Sequence, residues 1–154
     1  MTEPVPRSVV EAFYQAYADK DAKRIAEFLD DDVEWSINGP VDLLHFCGSR
    51  RGKAAVIDLI IRLLPETFRG RRFTKEARLV DGDRAATLSR FTATKSDNGR
   101  MVSYRVAQFV RFRDCKVVEY SSIIDSFDAV EQVLGYTLAV HDGIPPLEGN
   151  LIAV

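Results

Sequence analysis

Three turn signals in the second half of the chain constrain its fold more than any other feature. Asp81-Gly82 and Asn98-Gly99 are dipeptides that favour tight hairpin turns because both tolerate positive φ, and a third turn is expected at Asp114-Cys115. They divide this region into four long strands, at about residues 72–80, 83–96, 100–113 and 116–125. Strands joined by turns this short pair antiparallel, so the sequence predicts a four-stranded meander.

Helical patterns precede and follow this meander. Apolar residues recur at helical spacing within residues 8–17, behind a capping-box pattern that begins at Ser8. Asp21 can cap a second short helix, and Gly52 opens a third helix that ends near Pro65. A last helix is expected after the meander, with Asp125 or Ser126 as its cap.

The segments between the first helices predict one further strand. Residues 30–32 are three aspartates and predict a turn, and residues 33–37 alternate as a strand does. Residues 41–51 show no clear period and predict a loop. Long, curved strands covered on one face by helices form an open cone, so the fold class is α+β with one curved mixed sheet.

Composition narrows the class of protein. The chain has 154 residues, which fits one domain spanning residues 1–154, and 21 basic residues stand against 23 acidic ones. This balance gives no reason to expect a nucleic-acid or membrane partner. Cys47 and Cys115 fit a reducing compartment, and no signal peptide or apolar run of about 20 residues is apparent, so a cytoplasmic protein is expected.

Side-chain alternation predicts which residues face the inside of the cone. On the strand from residue 100 to 113 the even positions are apolar or polar and the odd ones carry arginines, so Gln108 and its even neighbours should face inward. The same alternation on the other strands, together with a by-eye alignment to proteins that the sequence resembles, predicts a pocket that is aromatic and polar but short of charge. The residues expected to line it are Phe13, Tyr17, Trp35, Ser36, Asn38, Ser89, Phe91, Gln108, Tyr120, Ser122 and Ile124.

The order of elements and three local stretches resemble a known superfamily. The stretches are residues 28–35, 51–56 and 109–114, the last continuing to Asp125. They resemble the nuclear transport factor 2-like superfamily, in its SnoaL-like and ketosteroid isomerase-like branch, over about residues 8–135. The resemblance implies a cone, or cystatin-like roll, with helices on the concave face of the sheet and one small-molecule pocket. Residues 136–154 form a tail beyond it.

Catalytic residues of two members of the superfamily are mostly missing. The carboxylate base and the two oxyanion donors of ketosteroid isomerases correspond to Ser36, Phe13 and Gln108. A serine cannot serve as that base, so this isomerase route is not expected. Of the five active-site groups of limonene epoxide hydrolases, only the asparagine has a match, which is Asn38.

The resemblance to SnoaL-like cyclases carries over further. Those enzymes place an aspartate just before the last helix, followed by a Gln-x-Leu-Gly ending, and Asp125 with residues 132–135 matches this pattern. His45 lies in the loop that would roof the pocket, and histidine is a residue type that can act as an acid or a base. Asp125 and His45 are therefore the candidate acid and base. Each has a structural alternative, since Asp125 can be a helix cap and His45 can pack in a loop.

Two functions of different classes follow. One is an enzyme acting without a cofactor on a hydrophobic, ring-bearing molecule by acid/base chemistry, with Asn38 and Gln108 orienting the substrate. The alternative is a binding module that holds an apolar ligand and catalyses nothing. Neither the cysteines nor the histidines have metal-ligand spacing, so no metal is expected. The basic run at residues 69–72 predicts solvated surface.

A homodimer through the outer face of the meander is also expected. Phe109 shares the odd face of its strand with Arg105 and Arg111, and Val117 and Ile123 lie on the odd face of the next strand. A face that is apolar and charged at once suits a partner interface. Two-fold symmetry would let the charges pair, with Arg105 or Arg111 of one copy meeting Glu119 of the other.

Overall fold

The computed structural model describes residues 3–138, and these form one six-stranded sheet with helices. The helices are α1 Arg7–Ala18, α2 Ala22–Phe28, α3 Lys53–Asp58, α4 Leu64–Thr67 and α5 Ser126–Leu134. The strands are β1 Leu29–Asn38, β2 Gly48–Arg51, β3 Phe68–Asp81, β4 Arg84–Lys95, β5 Met101–Arg113 and β6 Lys116–Ile124. The sheet has the order β2-β1-β6-β5-β4-β3. The α+β class and the curved mixed sheet are confirmed.

The predicted meander is present with all three of its turns. β3, β4, β5 and β6 pair antiparallel in sequence order. Gly82 and Gly99 have φ of 54° and 72°, and Asp114 and Cys115 have φ of 51° and 60°. Positive φ at both central residues matches the right-handed twist of the flanking strands, which is why so short a turn suffices after β5.

Strand β1 makes the sheet mixed, because it pairs parallel with β6 and antiparallel with β2. Two predictions for this region were wrong. Residues 30–32 lie in β1 and not in a turn, at an irregularity in the register with β6 between Leu29 and Glu34. Residues 48–51, expected in a loop, form β2 at the edge of the sheet. An irregular edge region tolerates aspartates that a regular central strand would disfavour.

The helix caps are confirmed in two of three cases. The Asp21 carboxylate accepts a hydrogen bond from the backbone N–H of Arg24, and that of Asp125 accepts one from the N–H of Asp128. The capping box at Ser8 was wrong, since the N-cap is Pro6, two residues earlier, and α1 has no side-chain cap. Pro6 lies at the N-cap position with an extended backbone, and its carbonyl accepts hydrogen bonds from the N–H groups of Val9 and Val10, so the first turn forms without a side-chain cap.

The third predicted helix forms as one continuous run of helical residues, but its middle is π-helical and only its two ends are α-helical. Residues Leu59–Leu63 between α3 and α4 form a π-helical turn, and the N–H of Leu64 donates to the carbonyl of Leu59, five residues back. Pro65 comes next and has no N–H for the carbonyl of Ile60. The π-helical turn and Pro65 therefore leave the Ile60 carbonyl free to accept a hydrogen bond from a side chain.

The outer face of the sheet carries exposed apolar residues, as expected, but its charges pair within the chain. Phe109 and Ile123 are about half exposed. Arg111 bonds to Glu119 of the same chain, and Arg105 binds Glu76 at 3.1 Å. The expected pairing between two copies, with Arg105 or Arg111 of one meeting Glu119 of the other, stays a prediction.

Val117 was also misplaced, because it is fully buried. The register between β5 and β6 shifts at Arg111/Phe112, which turns Val117 toward the core. None of the helices within residues 3–138 has the length and apolar character needed to cross a bilayer. The cytoplasmic location stays a prediction.

Candidate functional site

A small cavity lies on the concave side of the sheet, under the helices. Its volume is about 40 Å³, room for roughly three water molecules. Aromatic and aliphatic side chains form most of its wall, with a few polar groups among them. The lining residues are Tyr17, Ile37, Phe46, Leu64, Phe68, Arg71, Phe73, Phe91, Tyr104, Val106, Gln108, Tyr120, Ser122 and Ile124. We call this space the inner cavity.

A second space adjoins the inner cavity between α1 and β3. Its volume is about 190 Å³, and its wall includes Tyr17, Phe73 and Gln108, which also line the inner cavity. The rings of Tyr17 and Phe73 lie 5.6 Å apart between centroids. We call this space the mouth. Because the two spaces share these three side chains, a modest movement of Tyr17 or Phe73 would join them.

The polar centre of the inner cavity is a hydrogen-bonded pair on neighbouring strands. The Nε2 of Gln108 donates to the hydroxyl of Tyr120 at 2.7 Å, and both side chains are almost fully buried. The Tyr120 ring stacks on Trp35, with 3.6 Å between centroids and 8° between planes. The hydroxyls of Tyr17 and Ser122 also interact with Tyr120. These contacts hold the pair rigidly in an otherwise apolar wall.

Burial sets the protonation state of the tyrosines around this pair. Loss of solvent raises the pKa of Tyr17, Tyr104 and Tyr120 above the ordinary value of a phenol. All three are therefore neutral at physiological pH, and their hydroxyls can donate or accept a hydrogen bond. The cavity thus offers hydrogen-bonding groups and no group among these that would be a base near neutrality.

Two irregularities in β3 decide which of its cations face inward. Gly70 has a φ of 59°, and the pairing with β4 shifts between Arg69 and Arg72. A glycine in this left-handed conformation forms a bulge, and the extra residue reverses the alternation that follows. Phe68 and Arg71, three positions apart, consequently line the same cavity.

Arg71 is a half-buried cation in the wall of the inner cavity. Its Nη2 donates to the carbonyl of Ile60 at 3.2 Å, the carbonyl that Pro65 leaves free. Burial lowers the pKa of this guanidinium, and the nearby Tyr17 hydroxyl counteracts that effect. An arginine nevertheless keeps its charge in a protein. The prediction that this basic run is solvated surface was wrong for Arg71.

The rim of the mouth is held by a second arginine. Arg78 is nearly buried, lies 3.8 Å from the centre of the Tyr14 ring, and donates from Nε to the Thr87 hydroxyl at 2.9 Å. It also pairs with Glu11 on α1. Burial raises the pKa of Glu11, but the hydrogen bond and charge of Arg78 outweigh this, so the net pKa is lowered. Glu11 is therefore ionised at neutral pH and joins α1 to β3.

Six of the predicted pocket residues do meet in the inner cavity. They are Tyr17, Phe91, Gln108, Tyr120, Ser122 and Ile124. Ser89 lines the mouth. Phe13 and Trp35 are buried but lie outside the cavity wall, Phe13 packing on Phe112 and Trp35 on Tyr120.

The interior position expected for Asn38 and Ser36 was wrong. Trp35 and Ile37 are the buried positions of β1, so the alternation turns Ser36 and Asn38 to the outer face. There the Asn38 amide donates to the Ser121 hydroxyl at 3.2 Å and to the Ser122 carbonyl at 3.1 Å. Ile37 takes the interior place that the sequence assigned to its neighbours.

Both candidate acid/base residues lie outside the cavity. Asp125 is exposed and caps α5, which is the structural alternative considered for it. His45 is exposed, and in the described part of the chain its one hydrogen bond is at the backbone, where its carbonyl accepts from Nη2 of Arg50 at 3.4 Å. The side chain that enters the cavity from this loop is that of Phe46. In the described part of the chain, the wall of the inner cavity contains no carboxylate and no imidazole.

Sequence reasoning missed several lining residues. They are Ile37, Phe46, Leu64, Phe68, Arg71 and Phe73. Ile37 could have been found from its alternation with Trp35. For Arg71 the only signal was Gly70 inside a strand pattern, which often marks a bulge.

A larger concavity lies elsewhere, on the outer face of the sheet. It measures about 830 Å³, is open to solvent, and is bordered by Leu79, Phe109, Arg111 and Glu119 among others. We call it the outer groove. Phe109, one exposed apolar residue of the expected dimer surface, borders this groove. The inner cavity is the better ligand site, because its wall consists mostly of buried side chains and brings polar groups together within apolar surroundings.

Comparisons with known proteins identify the family. The SnoaL-like domain family matches residues 10–120, which is more than half of the chain. The chain belongs to this family. Among curated proteins, none matches the sequence significantly. Solved structures share the fold, among them nuclear transport factor 2-like proteins and a protein with a cystatin-like fold.

Three similar structures illustrate the range of this SnoaL-like domain's relatives. A proposed isomerase from Rhodopseudomonas palustris is 33% identical, with 82% of this chain and 93% of that chain covered and a TM-score of 0.72. A protein of unknown function from Burkholderia pseudomallei is 21% identical, with coverages of 82% and 95% and a TM-score of 0.74. TerC, co-crystallised with polyporic acid, is 20% identical, with coverages of 82% and 96% and a TM-score of 0.73.

Proposed function

We propose that this SnoaL-like domain binds a small, ring-bearing apolar molecule in the inner cavity. The observation that carries the proposal is the buried Gln108–Tyr120 pair, which faces a cavity whose other walls are mostly aromatic. A rigid polar pair inside an apolar enclosure orients a ligand by its polar end while its rings contact the walls. The fold is one with which a small molecule has been co-crystallised, polyporic acid in TerC.

The size of the cavity implies that binding includes a local movement. A volume of about 40 Å³ is well below the roughly 300 Å³ at which pockets for drug-sized ligands begin. The mouth adds about 190 Å³ on the other side of Tyr17 and Phe73. The ligand would therefore displace one of these rings and occupy both spaces, with Gln108 at their junction. A ligand of one or two rings fits this description.

The chemistry of the wall favours binding over acid/base catalysis by Asp125 or His45. Both residues are exposed and outside the cavity. A general base must come within hydrogen-bond reach of the proton that it removes. Among the described residues that line the inner cavity, the tyrosines and Arg71 are the only titratable groups, and none of them is a base near neutrality.

Isomerisation without a cofactor is the second candidate, favoured by the 33% identity to a proposed isomerase. In that case the neutral hydroxyl of Tyr17 or Tyr120 would donate a hydrogen bond to the carbonyl oxygen as it becomes negative, and solvent water would take up the proton that leaves the neighbouring carbon. Incubation of a bound ketone in D₂O distinguishes the candidates. Exchange of hydrogens next to the carbonyl, faster with protein than without, would support catalysis, and an unchanged exchange rate supports binding alone.

The binding proposal is tested with a neutral bicyclic probe, 2-naphthamide, by isothermal titration calorimetry. We expect saturable binding that Gln108→Leu weakens by about tenfold, since a lost hydrogen bond of about 1.4 kcal/mol corresponds to that factor. The matched control is Phe109→Ser on the outer face, which should bind as the unmodified protein does. Equal binding by the Gln108→Leu variant, or loss of binding in the Phe109→Ser variant, would place the ligand outside the inner cavity.

A further inference from the structure

An arginine without an acidic partner stands in the wall of the inner cavity. Arg71 makes one hydrogen bond, from Nη2 to the Ile60 carbonyl, and none of the described residues provides a carboxylate paired with it. A guanidinium has five N–H groups, so four remain for other partners. Removing such a cation from water without an anion is unfavourable, which makes an unpaired, half-buried arginine unusual.

The backbone around Arg71 holds this side chain in place. The bulge at Gly70 turns it inward, and the carbonyl released by Pro65 anchors one nitrogen. Two local departures from regular structure, one in β3 and one in the helix before it, thus converge on one side chain. An anchored guanidinium loses less conformational freedom when it binds a planar anion than a free one does.

The charges around the entrance are consistent with an anion. Lys75 and Arg78 line the mouth against one acid, Glu11, so the described part of the entrance has an excess of positive charge. Lys20 lies beside Arg71 in a small adjoining recess. Clefts with one prevailing sign of charge concentrate ligands of the opposite sign.

We propose that the ligand of the inner cavity carries an anionic group, a carboxylate or an equally planar oxyanion, which Arg71 binds while the rings lie against the aromatic wall. The inference rests on the proposed function and adds the chemical class of the ligand. Tyr17 lines the same cavity as Arg71, and its neutral hydroxyl is the second donor to the same anion. Two parallel N–H···O bonds from a guanidinium match the geometry of a carboxylate.

The test compares two probes of nearly the same shape, 2-naphthoate and neutral 2-naphthamide, by isothermal titration calorimetry at pH 7. The unmodified protein should bind 2-naphthoate more tightly. Arg71→Leu should weaken binding of 2-naphthoate by about tenfold or more and change the affinity for 2-naphthamide by less than about twofold. Only the anion makes charge-assisted hydrogen bonds to the guanidinium. Arg72→Leu is the matched control, since Arg72 is exposed on the same strand, and it should leave both affinities unchanged.

The outcomes separate this inference from the proposed function. If the unmodified protein binds neither probe, the proposed function is wrong and the inference falls with it. If it binds 2-naphthamide at least as tightly as 2-naphthoate, or if Arg71→Leu weakens both probes equally, only the inference is overturned. Thermal unfolding confirms that each variant folds. If Arg71→Leu does not fold, Arg71→Lys replaces it. A lysine lacks the two parallel N–H donors of the planar guanidinium, so the affinity for 2-naphthoate should fall by about threefold. An unchanged affinity contradicts the inference.

Discussion

The Gln108–Tyr120 pair makes a specific prediction about stability. Gln108 is 2% exposed, and its Nε2 donates to the Tyr120 hydroxyl at 2.7 Å. Tyr120→Phe removes the acceptor and leaves a buried amide without another hydrogen bond in the described part of the chain. Such a loss costs about 1–3 kcal/mol of unfolding free energy. The Phe ring can still stack on Trp35, so packing is preserved.

Adding Gln108→Leu to Tyr120→Phe should then restore about 1 kcal/mol, because replacing both partners by apolar groups removes the unpaired donor. Urea unfolding followed by fluorescence measures this, with Trp35, the only tryptophan, as the reporter. The control cycle uses Tyr104→Phe, whose hydroxyl has no hydrogen bond to Gln108, and should be additive with Gln108→Leu. If Gln108→Leu destabilises the Tyr120→Phe protein further, the reasoning about the pair is refuted.

Three further predictions concern ionisation, backbone strain and assembly. Burial raises the pKa of Tyr17, Tyr104 and Tyr120. The stability that these neutral tyrosines contribute is therefore present below about pH 10 and is lost as pH rises through their higher folded-state pKa values. Tyrosinate absorbance should appear together with unfolding, and ionisation before unfolding would contradict this. Gly70→Ala should lower the free energy of unfolding in urea by roughly 1 kcal/mol, because residue 70 has a positive φ that alanine disfavours. The added Cβ would meet no atom, so strain is the only cost. An unchanged unfolding midpoint would argue against the bulge. We expect a homodimer through the outer face that Phe109→Glu converts to a monomer; sedimentation of the unmodified chain as a 17.3 kDa monomer would reject it.

The meander could be predicted from sequence because its turns are local. Gly82, Gly99 and the Asp114-Cys115 pair need backbone conformations that few residues adopt, so they fix where each strand ends. Between them β4, β5 and β6 are nearly regular, and alternation correctly places Gln108 and Phe91 inside.

The cavity was only partly predictable, because bulges reset the alternation. Arg71 faces inward only because Gly70 adds a residue to β3, and no pattern of apolar residues shows this. Asn38 was misplaced although β1 is regular there. Trp35 is buried, and Asn38 lies three positions further along the strand, an odd number, so alternation places Asn38 on the outer face. The resemblance to SnoaL-like cyclases pointed to Asp125, but a cap position and a catalytic position look the same in sequence.

A crystal structure with bound 2-naphthamide tests the central claim most directly. The account predicts density for the probe in the inner cavity, with its amide against Gln108 and Tyr120 and with the ring of Tyr17 or Phe73 moved toward the mouth. Density in the outer groove beside Phe109, with an unchanged inner cavity, would contradict it.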